Sequence, residues 1–278
     1  MVTGAVVLAL VSAVSWGVSD FLGGVRSRRL GLAPVLLISQ TAALILLTAN
    51  LAVLGTGPPG PAHLMAAAGA GLSELVGVAA LYRGLAHCRA SVVAPVAAAA
   101  PVVPIGVGVA LGEVPNLLQF AGLGFLVAGI VLAAHQRGST GGGTAAAVAH
   151  GAVAAAGFGA FFVFMDFAGA GGIPWALVVS RLTAVIGILG FVLAVRAQLN
   201  VPWRVVPSLL LIGVLIIGAD AAYTAAAQLG YLSIVAVLSA FHPVVTIVLV
   251  AAVLRERIDP VQRIGIAAAL AGVLIVTV

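Results

Sequence analysis

Apolar runs of about twenty residues follow one another along the 278-residue chain, parted by short breaks rich in arginine, glycine and proline. A helix needs about 20 apolar residues to cross the hydrocarbon core of a bilayer. Ten runs come near that length, at residues 2–24, 34–54, 62–85, 91–111, 117–134, 144–168, 174–195, 205–229, 232–253 and 261–278. Turn-forming residues mark several gaps: Gly57-Pro58-Pro59-Gly60-Pro61, Gly171-Gly172-Ile173-Pro174 and Asp259-Pro260. The prediction is an all-α membrane protein of ten transmembrane helices. A glycine-rich stretch at 138–144 falls at the midpoint and divides the chain into five-helix halves, 1–137 and 145–278.

The halves repeat one another. Ser91-Val92-Val93-Ala94 returns as Ser233-Ile234-Val235-Ala236, and Pro101-Val102-Val103 as Pro243-Val244-Val245. Glu113, Gln119, Gly122 and Gly129 return with the same internal spacing as Glu256, Gln262, Gly265 and Gly272, and Trp16-Gly17 matches Phe158-Gly159. Five is odd, so the second copy is expected to run through the bilayer upside down. The arginines fit that inversion. Arg26, Arg28 and Arg29 follow span 1, Arg89 span 3, Arg137 span 5, Arg196 and Arg204 span 7, and Arg255, Arg257 and Arg263 follow or flank span 9. The even-numbered loops carry none. The positive-inside rule then sets the odd-numbered loops in the cytoplasm of a plasma (inner) membrane and both termini outside.

Composition sharpens the class. Hydrophobic residues make up 63% and charged ones only 7%, with twelve basic and seven acidic side chains. A soluble domain carries roughly 25% charged residues, so an ordinary soluble enzyme, a nucleic-acid binder and a disordered chain are excluded. The lone Cys88 gives neither an internal disulfide nor a metal-binding cysteine pair. Met1, Val2 and Thr3 have no side-chain charge, so the first run reads as a retained span rather than a signal peptide. No cofactor is expected.

Ionisable side chains at bilayer depth are costly and tend to face the bundle interior or a watery cavity. Glu74, Asp220 and His242 lie near the middle of their spans, Asp20 a turn from the end of span 1, Arg181 two turns into span 7 and Asp166 near the end of span 6. Structural readings stand beside functional ones: a hydrogen bond between helices for Glu74, a pairing with Arg26 for Asp20, a core position for His242, snorkelling for Arg181. Tyr82 and Tyr223 hold similar places in the two halves and serve either as belt residues or as site residues. Ser12, Ser15, Trp16, Ser19, Asp20 and Gly23 share one helical face, and Phe158, Phe161, Phe162 and Met165 hold the same frame in span 6. A shared axis would give one polar wall and one aromatic wall, which suits an amphiphilic organic solute. Pro95, Pro101, Pro104 and Pro243 predict kinks in spans 4 and 9, and matched kinks in inverted halves point to a gating region. Glu113 and Glu256 read as braces of their hairpins. Gly108 and Gly112 read as a helix-packing GxxxG.

On these residues the chain resembles the EamA branch of the drug/metabolite transporter superfamily. The resemblance rests on Trp16-Gly17, Tyr82 leading to Ala90-Ser91-Val92-Val93-Ala94-Pro95, Pro101, Gly112-Glu113, Gln119, Gly122 and Gly129, then on Ser233, Pro243, Glu256, Gln262, Gly265 and Gly272. Arg255 departs from the pattern of Gly112, and Phe158 from that of Trp16. The resemblance implies a ten-span carrier of small metabolites, with a central cavity between two inverted repeats.

The expected function is a secondary active transporter, not an enzyme, that moves a small organic metabolite or amphiphile by alternating access, with a proton as a coupling ion to test. Trp16, Ser19, Asp20, Glu74, Tyr82, Arg181, Asp220, Tyr223 and His242 are the expected site, with Phe158 and Phe162 as its apolar wall and Pro95, Pro101 and Pro243 as hinges. The partners are the solute and the lipid bilayer, with no nucleic acid, and both monomer and homodimer stay open. The alternatives are a channel, which needs a ring of charges or carbonyls, and an intramembrane enzyme, for which no HExxH pattern exists. No GxxxxGK[ST] loop is present, so the chain has no ATP drive of its own.

Overall fold

The computed structural model describes residues 3–88, 90–134, 143–255 and 259–277, and every regular element among them is helical. The first half holds α1 (Thr3–Leu30), α2 (Leu32–Leu54), α3 (Pro61–His87), α4 (Ala90–Ala97), α5 (Val102–Ala110) and α6 (Leu117–Ala133). The second holds α7 (Thr144–Ala170), α8 (Ile173–Ala194), α9 (Val206–Ala227), α10 (Leu232–Ser239), α11 (His242–Leu254) and α12 (Pro260–Thr277), with a 3-10 turn at Trp203–Val205 before α9. Taking α4 with α5 and α10 with α11, eight segments are long and apolar enough to cross a membrane, and α6 and α12 are shorter apolar helices. Residues 135–142 (Arg137 and most of the linker), Arg89, Glu256 and Arg257 lie outside the described residues.

Three expectations change. Spans 4 and 9 are not single kinked helices: each breaks in two, after Ala97 and after Ser239. A proline inside a helix removes one hydrogen bond and crowds the preceding turn, but the first turn of a helix tolerates it. Pro101 accordingly precedes α5 as its N-cap and Pro243 sits in the first turn of α11, while Pro95 stays inside the eight-residue α4. Next, α1 runs on to Leu30, so Arg26, Arg28 and Arg29 ride on its last turns rather than in a loop; Gly31, at φ 80°, ends it. Finally, Gly108 and Gly112 do not pack one helix on another. A Cβ on Gly108 would overlap the Glu113 carboxyl, and Gly112 turns the chain at φ 95°. Arg255 takes the corresponding turn in the second half at φ 56°, so the break in the repeat's sequence preserves its backbone.

The duplication reappears as paired contacts. Cβ atoms on Gly17 and Gly159 would meet Val245 and Val103, each at 2.5 Å, so α1 sits on α11 as α7 sits on α5. Gly213 faces the Ser39 carbonyl and Gly71 the Ser180 carbonyl, which locks α9 on α2 and α3 on α8 at one depth. Gly129 and Gly265 each approach the other's backbone and join α6 to α12. Helices approach this closely only where side chains are absent, which is how small residues hold membrane helices together. Gln119 and Gln262, another repeated pair, close the first turns of α6 and α12 by accepting from the N–H groups of Asn116 and Asp259, each at 3.0 Å.

Candidate functional site

The two Ser–Gly locks also position the residue next to each serine. Gln40 comes after Ser39 on α2, and Arg181 after Ser180 on α8. The two meet at the centre, where Arg181 Nη1 donates to Gln40 Oε1 at 2.5 Å. Arg181 Nη2 donates to Asp220 Oδ2 on α9, and Arg181 Nη1 lies 3.7 Å from Glu74 Oε1 on α3. Trp16 on α1 donates its indole N–H to Asp220 Oδ1 at 3.0 Å. Each of these residues is about two turns or more from either end of its helix, so the cluster lies at mid-depth. Arg181 is 1% exposed and does not reach for an interface. A guanidinium so buried needs counter-charges and acceptors, because stripping it of water costs several kcal/mol, and Asp220, Glu74 and Gln40 supply them.

Trp16 joins this charged cluster to an aromatic one. Its ring lies 6.1 Å from Phe161, 5.9 Å from Phe162, 6.1 Å from Tyr223 and 5.7 Å from His242. Tyr223 is buried and donates its hydroxyl to the Phe162 carbonyl at 2.6 Å, across the α7–α9 contact. His242 stands at the start of α11, at the break, with Nδ1 2.9 Å from Asp20 Oδ2. The side chains of Asp20 and His242 are 50% and 32% exposed. Tyr82 is exposed on α3. Ser19 is buried on α1.

Of the residues singled out from sequence, Trp16, Glu74, Phe162, Arg181, Asp220, Tyr223, His242 and Asp20 thus form one connected set. Phe158 stands in the α3–α7 seam against Gly77, one turn beyond Glu74; Phe161, on the same face, packs on Trp16. Tyr82 and Tyr223, similar in the sequence, differ here: one is exposed and the other buried. Gln40 is inconspicuous in the sequence because a neutral side chain gives no alarm in an apolar run. The signal for it is the match of Ser39-Gln40 with Ser180-Arg181, 141 residues apart.

Glu113 also does more than brace its hairpin. Its carboxylate reaches into the other half and accepts the N–H groups of Leu232 and Ser233, the latter at 3.0 Å, at the start of α10. Free N–H groups and the positive end of the helix dipole make that position favourable for a carboxylate. Among the described residues no group of three His, Cys, Asp or Glu side chains is placed to hold a metal ion.

Comparison with known proteins supplies the family. The profile of the EamA-like transporter family matches residues 3–134 and again 146–278. A solved crystal structure superposes on 99% of this chain and 98% of its own, with a TM-score of 0.78 and 17% sequence identity, a likeness that shows the fold. A search of the curated proteins finds no match. With both halves covered by one profile and apolar helices throughout, this chain is a multi-pass membrane protein that belongs to the EamA-like transporter family, a family of transporters rather than enzymes.

Proposed function

We propose that the protein is a secondary active transporter that carries a small organic solute across the plasma membrane by alternating access, with its two five-helix repeats inverted in the bilayer. One asymmetry carries the reading. Helix α10 is buried along its whole length and packs on α5, α1 and α9. The repeat relates that α5–α10 contact to one between α4 and α11. Yet α4 rests on α7 and α3, α11 rests on α1, and α4 and α11 scarcely touch. A twofold-related pair that is closed at one end and parted at the other is what a carrier caught in one of two states would have. On the arginine bias the closed end faces outside and the parted end the cytoplasm. The partly exposed Asp20 and His242 lie on the parted side of Trp16, where α1 meets α11.

A proton fits this reading as the coupling ion, since Asp20 and His242 form a partly exposed carboxylate–imidazole pair. The ring that packs on this pair is Trp16, 5.7 Å from His242, and Trp16 in turn bonds Asp220. The test is exchange in proteoliposomes. A carrier gives saturable uptake that speeds up when unlabelled solute is loaded inside; a channel gives flux that rises linearly with concentration and no such acceleration.

A further inference from the structure

The site's charges differ in what they offer to a solute. Arg181 is 1% exposed, with both Nη atoms engaged by Asp220, Gln40 and Glu74. The side chain of Asp220 is 4% exposed and pairs with it behind Trp16. These two cancel out of reach. The less buried acidic side chains are Glu74, 24% exposed, and Asp20, 50% exposed. His242, when protonated, has Asp20 as its counter-ion. Within this set no cation is left to receive an anionic solute, or the carboxylate end of a zwitterion.

A second observation singles out Glu74. Its Oε2 is buried without a hydrogen-bond partner, and so is the Nε of Arg181. Glu74 meets Arg181 only through Oε1 at 3.7 Å, beyond hydrogen-bond range, whereas Asp220 is tightly bonded. Glu74 is therefore the carboxylate that can exchange Arg181 for another cation. The half-buried Trp16, joined to the same cluster through Asp220, adds a ring face of the kind that attracts cations.

We propose that the solute is an organic monocation, a protonated or quaternary amine on an apolar body, and that Glu74 is its counter-ion. This rests on the carrier reading. The experiment uses three ligands of one skeleton, benzyltrimethylammonium, phenylalanine and 3-phenylpropionate, with the full chain in nanodiscs for binding and in proteoliposomes for counterflow. The cation is expected to bind at least tenfold more tightly than the other two. Glu74→Gln is expected to weaken it at least tenfold while the helical circular-dichroism signal is kept. The charge series on the unaltered chain decides the matter even if that variant does not fold. Binding of none of the three, or of the anion or zwitterion ahead of the cation, overturns the proposal. Saturable counterflow of phenylalanine or phenylpropionate alone would sink the charge assignment and leave the carrier intact. Linear flux indifferent to charge would sink both.

Discussion

Arg181 and its two carboxylates share one ion cluster but not one role. Asp220 is bonded on both oxygens, to Trp16 and to Arg181, and is buried. Removing one member of such a pair leaves the other charge without compensation, which costs about 3–5 kcal/mol. Asp220→Asn should therefore lower the thermal midpoint of the purified protein sharply and reduce the folded yield. Glu74 is partly exposed and its contact with Arg181 is long, while Arg181 keeps its bond to Asp220, so losing the Glu74 charge should cost much less than losing that of Asp220. Glu74→Gln should melt close to the unaltered chain yet lose uptake. Equal melting shifts in the two variants would show that both carboxylates are structural. These positions were legible in the sequence because a charge inside an apolar run is conspicuous. Their pairing was not, because Trp16 and Asp220 are 204 residues apart and His242 and Asp20 are 222 apart. No local pattern encodes contacts made across the repeats.

Helices carry the duplication in their glycines more than in their apolar faces. The runs announced themselves by length, because a bilayer sets about 20 residues as the unit. Their ends were less legible: arginines on the last turns of α1 read as a loop, and the breaks in spans 4 and 9 read as kinks, since proline alone does not say whether a helix bends or restarts. The repeated Gly122, Gly129, Gly265 and Gly272 showed a duplication without showing what they touch. They all lie in the α6–α12 seam, where Gly129 and Gly265 bring backbone against backbone. A side chain there has nowhere to go, and forcing extra atoms into a packed interface costs about 1–3 kcal/mol. Gly129→Leu should lower the thermal midpoint in detergent and increase protease cutting near α6 and α12. The same change at Gly124, where an added Cβ would meet nothing within 4 Å beyond its own turn of helix, should do neither.

For the whole molecule, the departure from symmetry matters more than the symmetry. The most extensive contacts between helices of the first and second halves have counterparts: α3 on α7 with α9 on α1, α2 on α9 with α8 on α3, α5 on α7 with α11 on α1. The α5–α10 contact stands without one, as do the smaller contacts of α6 with α10 and α11, and Glu113 is the side chain that ties the chain just beyond α5 to the first turn of α10. Hydrogen bonds to a charged group contribute about 1.5–3 kcal/mol each. That is enough to set the balance between two states a few kcal/mol apart. Removing the carboxylate should let the α5–α10 end part and the α4–α11 end close. The readout is a single cysteine in place of Ser233, which is now fully buried, on a Cys88→Ser background. Its backbone bond to Glu113 survives that replacement. Adding Glu113→Ala should raise labelling of the cysteine at 233 by a membrane-impermeant maleimide several-fold from outside, while Glu113→Gln, which keeps one acceptor, should raise it less. Labelling unchanged by both would mean that α10 is held by its apolar packing alone and that Glu113 only caps it.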